Sequence, residues 1–542
     1  NGNLISGFGG SGVIAIGNNI LSTGNTSTGN FLTGIIAIGN NINFHAQSSQ
    51  KIIAIGEGAF QNSMPSESVA IGSGAGNRLS GTPGQLIAST FIGNEAGKSI
   101  SGKTFYGTYV GYQAGASLKP GSDFPFNTVI GAGAFAIGSG SSGVGVGAYA
   151  LYSGQGNSST AVGTRSLRKF QGDNNTALGY EAGRDISGDT NIAIGYQAGK
   201  EISGDNNIAI GYLALSGTTS SGNIAIGYEA LKSDNAGEYN TAVGYQALKD
   251  NAGGHRNTAI GYNSMPVNTA GFYNTAIGFQ SLNANTGGDN NVAIGHQALL
   301  TNTTGNASVA IGDGALALNI SGGQYHVGIG YNALYRNTTG TFNVGIGYQA
   351  GYFGTTGKHN ASFGAYAGRG NATGEYNTAI GSQALWSTSG SNNIALGYKA
   401  GYSLVSGDNT IIGTLSGTAS DSGIIRIGAG TTERIYVDTV GVVSGNAFAQ
   451  TTATMPANEI NPSNGGIQYK TVSADTTFTE ALVSGESVLV HLTSGSSHTL
   501  TWPTITWVTS AGNSAPTFTD DDILVFWKFG TTLYGAYGGS FA

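Results

Sequence analysis

Cysteine is missing from all 542 residues, which removes disulfides, thiolate nucleophiles and cysteine zinc sites together. Charge is scarce too. Asp, Glu, Lys and Arg make up 9% of the chain, and the net charge is −7. The 21 lysines and arginines never gather into a basic run, so the positive footprint that a phosphate backbone or an anionic lipid surface requires is not there. We therefore expect no nucleic-acid partner and no membrane insertion; no apolar run approaches the ~18 residues of a spanning helix. No signal peptide is visible, and the chain opens on Asn1 rather than Met, so an N-terminal piece is expected to have been removed or omitted. The nine prolines all fall outside the recurring strand-like segments, where each would cost a ladder N–H.

Glycine is what the chain has in excess, 93 residues. It follows no G-X-Y period, which excludes collagen. An apolar share of 39% with so small a net charge is wrong for a disordered chain. Many tight turns between short strands remain.

The stretch SGDTNIAIGYQAGKEISGDNNIAIGYLAL, Ser187 to Leu215, contains NIAIGY twice, sixteen residues apart. Anchored on the glycine that closes AIG or its variants, 25 units run from Gly17 to Gly428, nearly every step from Gly131 onward being 16 or 17 residues and the steps before it 16 to 22. An apolar residue precedes each anchor (Ile194, Ile210, Val243), and a small one precedes that (Ala193, Ala209). This apolar–small–apolar alternation reads as a strand. YQAL or YQAG after the glycine reads as a second short strand or extended segment, and SGDN or NTTG as a polar turn. A unit this small cannot bury its own apolar face, but stacked copies can. No unit shows helical spacing over 11 or more residues. We expect an all-β chain: a parallel β-roll or solenoid of about 25 coils, with a small antiparallel β domain after it. At ~4.8 Å per coil the stack would be a rod on the order of 120 Å long. Threefold association is expected to bury the small-residue face, where Ala or Gly lets backbones approach.

NIAIGYQAG and SVAIGDGAL (Ser308 to Leu316) resemble the head repeats of trimeric autotransporter adhesins, the YadA-like head, over about residues 12–430. That resemblance implies a left-handed parallel β-roll and a homotrimer. The period departs from it, since the family's units are nearer 14 residues. Similar repeats occur in bacteriophage tail fibres. GIIRIGAGTTERIYVDTVGVV (Gly423 to Val443) resembles the segment that succeeds such repeats in those fibres, and Thr499 to Gly539 is similar to a terminal domain of phage tail proteins. The implied division is an N-terminal fragment (1–11), a repeat shaft (12–430), a neck and linker (431–466) and a C-terminal β domain, the tip (467–542).

Chemistry is harder to find. GNEAGKS (Gly93 to Ser99) has Ile92 where a phosphate loop needs glycine. The seven histidines, His45, His255, His296, His326, His359, His491 and His498, are scattered and read as surface or structural. The aspartates of the GD turns (Asp173, Asp189, Asp205, Asp289, Asp408) are explained by Asx-turn geometry without calcium, and Asp520–Asp522 by a solvated turn. Tyrosines directly after the anchor, among them Tyr180, Tyr196, Tyr212 and Tyr228, form a possible ladder that covers a coil edge. Trp502, Trp507 and Trp527 are expected to fill the C-terminal core. Trp502, Trp507, Tyr534 and Tyr537 are the candidate receptor contacts. No catalytic residue, cofactor or metal site is expected. The expected function is that of a non-enzymatic fibre: a phage tail fibre on the virion, joined to other tail proteins at its N-terminal end and binding a host cell-surface glycan or protein. The alternatives are a bacterial trimeric surface adhesin and a tail-spike glycan depolymerase.

Overall fold

The computed structural model describes residues 12–22, 34–44, 51–63, 67–79, 88–101, 106–119, 126–140, 142–233, 237–320, 324–437, 443–444, 452–455, 458–462, 467–493, 495–508, 514–519 and 521–540. It divides into two units, Asn1–His359 and Asn360–Ala542. Among the described residues every element is a strand except the 3-10 turn Gly495–Ser497.

In the first unit, strands of three or four residues stack in parallel and in register. Ile192 lies opposite Ile208, Ala193 opposite Ala209 and Ile194 opposite Ile210, and the same pairing continues through Ile224–Ile226, Thr241–Val243 and Thr258–Ile260. Each coil bonds the next: the Gly211 amide donates to Ile194 O at 2.8 Å and the Ile192 amide to Asn207 O at 2.9 Å. The fold is thus a parallel β-solenoid whose repeat length sets the ladder.

The anchor glycines are required on two counts. Gly211 has φ +131°, and a Cβ there would lie 2.3 Å from Gly227 O. Left-handed backbone and absent space both demand glycine.

The strand's small residue points inward. Ala193, Ala209 and Ala225 are fully buried, whereas the flanking isoleucines are half-exposed. This corrects the expectation that the small-residue face is the one left for sister subunits. The interior is narrow: a Cβ at Gly199 would come within 3.0 Å of the Ala193 Cβ. In these coils a methyl fills the strand side, and one larger residue per coil, such as Leu215 or Leu231, fills the remainder. Where the strand carries an aromatic instead, glycine stands opposite. Tyr109 and Phe91 are buried, and a Cβ at Gly115 or Gly97 would lie 2.4 or 2.2 Å from their rings.

The segment after the anchor is a turn in most coils, not the expected second strand. Gln197 and Gly199 have φ +51° and +58°, Leu213 and Leu215 +53° and +48°. Alternating left-handed residues cannot extend. The cost, ~1–2 kcal/mol per non-glycine residue, is offset by inter-coil bonds such as Leu215 N to Ala230 O at 2.9 Å. A second five-stranded parallel sheet does form from Ser117–Leu118, Ile137–Gly138, Ser153–Gln155, Lys169–Gln171 and Asp185–Ile186.

The second unit holds further coils at Ala361–Phe363, Thr378–Ile380, Ile394–Leu396 and Thr410–Ile412. Ile425–Ala429 joins them in parallel and then turns back antiparallel with Thr432–Val437. The C-terminal part is a six-stranded sheet ordered Thr452–Thr454, Ile467–Thr471, Ser487–Thr493, Asp521–Phe529, Thr532–Ser540, Ile505–Trp507. Its centre is antiparallel and its flanking pairs are parallel.

Candidate ligand-binding surfaces

Two ladders run inside the coils. Asn191, Asn207 and Asn223, each just before its strand, are fully buried. The Asn207 amide donates to Asn191 Oδ1 at 3.0 Å, and the Asn223 amide to Asn207 Oδ1 at 2.9 Å. The Asn207 side-chain nitrogen satisfies Ser220 O at 3.0 Å. A second column, Asn251, Asn268, Asn285, Asn302, Asn319 and Asn337, is linked side chain to side chain. Sequence reasoning passed over both. The signal was present as an asparagine ahead of unit after unit. Its meaning is that a parallel ladder needs an acceptor wherever the chain turns away from regular strand.

His326 occupies an asparagine position. It is fully buried, accepts at Nδ1 from the Asn343 amide at 3.2 Å and contacts Asn337 Nδ2 through Nε2 at 2.9 Å. Burial holds its pKa down at about 4 against backbone hydrogen bonds that favour the charged form. His255, His296 and His359 instead stack on Phe272, Phe279 and Phe342. His491 pairs with Asp521.

The GD aspartates form an outer ladder. Asp189 Oδ1 accepts the Asp173 amide at 2.7 Å, and Asp205 Oδ1 the Asp189 amide at 2.8 Å. The carboxylates act between coils, rather than within an Asx turn. Among the described residues no group of three or more His, Cys, Asp or Glu is placed to hold a metal. In GNEAGKS the Lys98 ammonium is engaged by Glu95, whose carboxyl is held below its ordinary pKa chiefly by that bond.

The tyrosine ladder is a continuous stack: Tyr180, Tyr196, Tyr212, Tyr228, Tyr245, Tyr262, Phe279 and His296, with neighbouring centroids 4.9–5.4 Å apart and planes within 6–17°. The ring faces are occupied by each other. Ring edges and hydroxyls are what solvent meets, so the column stiffens a coil edge and offers no face along its length for a sugar.

Two concavities stand out among the described residues. One, of about 830 Å³, lies over the second sheet, with Ser117, Ser153, Lys169 and Asp185 along it. The other, of about 450 Å³, lies on the C-terminal sheet and is lined by Glu486, Ser487, Trp527, Lys528, Phe529 and Tyr534.

No known protein family, curated protein or solved structure matches the chain.

The four candidate receptor contacts part company. Trp507 is buried, and Trp502 packs on the same core, stacked 4.3 Å from Phe478. Among the described residues the buried Trp502 Nε1 has no hydrogen-bond partner. The Tyr537 hydroxyl donates to Asp522 Oδ1 at 2.8 Å. Asp522 is itself fully buried and accepts from the Thr519 amide and hydroxyl, so this member of the acidic cluster is a core acceptor and not part of a solvated turn. Tyr534 lines the cavity on the C-terminal sheet. It stacks on Trp527 at 5.6 Å and 11°. Trp527 was expected in the core, but along Asp521–Phe529 it falls in the outward phase opposite Phe526. A two-residue period fixes alternation, and only the sheet's packing decides which phase is inside.

Proposed function

We propose that this chain is a structural and adhesive fibre protein, a homotrimeric bacteriophage tail fibre whose shaft is the solenoid and whose C-terminal domain meets the host cell surface. One observation carries the reading. In the first unit coil after coil leaves the residues flanking its inward alanine on an outer face, where Leu178, Ile226 and Ile260 are 37–47% exposed. A row of half-exposed aliphatic side chains, repeated from coil to coil, is more than a lone chain leaves uncovered. Identical rows on sister subunits complement one another. Three tips on one shaft gain avidity without tight individual sites. The resemblance of the repeat to YadA-like heads and to tail-fibre repeats supports the same reading.

Binding of the full chain and of a chain ending at residue 466 to host cells is the direct test. Adhesion that depends on residues 467–542 is expected. Equal adhesion by both would move the binding function to the shaft.

A further inference from the structure

We infer that the C-terminal sheet carries a carbohydrate site, a slot that seats one neutral pyranose ring against Trp527. The inference rests on the adhesive reading above and names its ligand class. Across the sheet, Ser487 pairs with Trp527, Trp527 with Tyr534 and Tyr534 with Thr506. Two large rings thus stand side by side, flanked in their row by small hydroxyl residues. Tyr534 stacks on one side of Trp527. On the strand at its other side there is only Ser487, and the cavity of about 450 Å³ opens there, within the ~300–1,000 Å³ of small-molecule sites.

The lining is of two kinds. Trp527, Tyr534 and Phe529 are apolar, and Phe529 is 74% exposed, which is unusual for an aromatic at the end of a strand. Beside them sit Ser487, which also lines the cavity, and Glu486, which spends one carboxylate oxygen on the Val483 amide at 2.8 Å. Lys528 is neutralised by Glu480 at 2.7 Å. The Gly485 amide to Lys528 O and the Lys528 amide to Glu486 O, at 2.8 and 3.1 Å, fix the rim.

A pyranose matches both kinds. Its C–H face stacks on an indole, and its rim of hydroxyls donates to a carboxylate and exchanges hydrogen bonds with a serine. An apolar peptide side chain would offer nothing to Ser487 or to the second carboxylate oxygen of Glu486. An acidic sugar or a phosphate would meet Glu486, while Lys528, the cation among the lining residues, is already spent on Glu480. The ligand is therefore a neutral sugar.

The test uses saturation-transfer NMR on the full chain with methyl glycosides of glucose, galactose, mannose and N-acetylglucosamine, together with host-cell adhesion. At least one glycoside should show transfer concentrated on its ring C–H protons. Trp527→Ala should weaken it roughly tenfold or more. Ser487→Trp, which fills the slot while keeping Trp527, should do the same, and both variants should melt as the parent does. Transfer unchanged in both variants, or no transfer from any glycoside to the parent chain, overturns the site. Adhesion that persists in both variants, or that is lost after protease treatment of the cells but not after periodate, also overturns it while leaving the fibre reading intact. Absence of adhesion by the parent chain alongside specific sugar transfer would instead sink the fibre reading and keep the site.

Discussion

Gly211, Asn207 and His326 show how little freedom single positions have inside a coil. Gly211→Ala would place a methyl 2.3 Å from Gly227 O at φ +131°. A loss on the order of 3 kcal/mol is expected, seen as a lowered thermal midpoint with weakened hydrogen-exchange protection in that coil and its two neighbours. Asn207→Ala strands the buried Asn223 amide and Ser220 carbonyl and should cost about 2–4 kcal/mol in denaturant unfolding. Asp189→Ala on the exposed ladder should cost ~1 kcal/mol or less, because water replaces the lost acceptor; equal costs at the two sites would contradict the inside–outside distinction. His326 supplies a pH dependence with a definite sign. Its folded pKa is held near 4 against an ordinary 6.5, so the unfolded chain binds the extra proton between those values. Stability at that site is fully present above pH 6.5, falls as the pH drops through that window, and has lost roughly 3 kcal/mol by pH 4. The variant His326→Asn, which restores the column's usual residue, should flatten that slope.

At the scale of the coil, the strand supplies two opposite faces and the turn decides their use. The left-handed pairs after most anchors, such as Gln197 with Gly199, bring the returning chain so close to the strand that alanine is the usual residue on the inner side. Ala193→Leu would overpack that space, with about 1–3 kcal/mol lost, whereas Ile194→Leu on the outer side should be nearly silent in thermal melts of the chain. The exchange of Tyr109 and Phe91 against Gly115 and Gly97 shows the same volume held constant by different residues. The isoleucine face is predicted to matter between chains: Ile226→Glu with Ile260→Glu should preserve the far-ultraviolet β signal and abolish association in light scattering.

For the whole molecule, the proposed trimer predicts a solution mass of three 54.6 kDa chains. With charged residues only 9% of the chain and aliphatic rows as the contact, the assembly should persist at about 1 M salt, where surface ion pairs are screened over ~3 Å. A light-scattering mass of one chain, or dissociation by salt alone, would remove the shared-face argument.

The repeat, its length and its parallel stacking were legible because a coil's partner is the next coil, in most cases 16 or 17 residues on, so long-range structure here is written as local periodicity. NIAIGY fixed the strand, and its glycine fixed the bend. Which face of that strand is inside was not legible, since alternation is symmetric until the width of the opposite wall is known, and that width is set by left-handed residues such as Leu215 that carry no special sequence mark. Likewise Asn207 looks like any turn asparagine until the coil above supplies its partner. Trp527 looks like a core tryptophan until the sheet places Phe526 inward. The sequence by itself settled the period and the ladder. Tertiary structure alone decided inside from outside, because burial is a property of what lies across a gap, and no segment contains both of its walls.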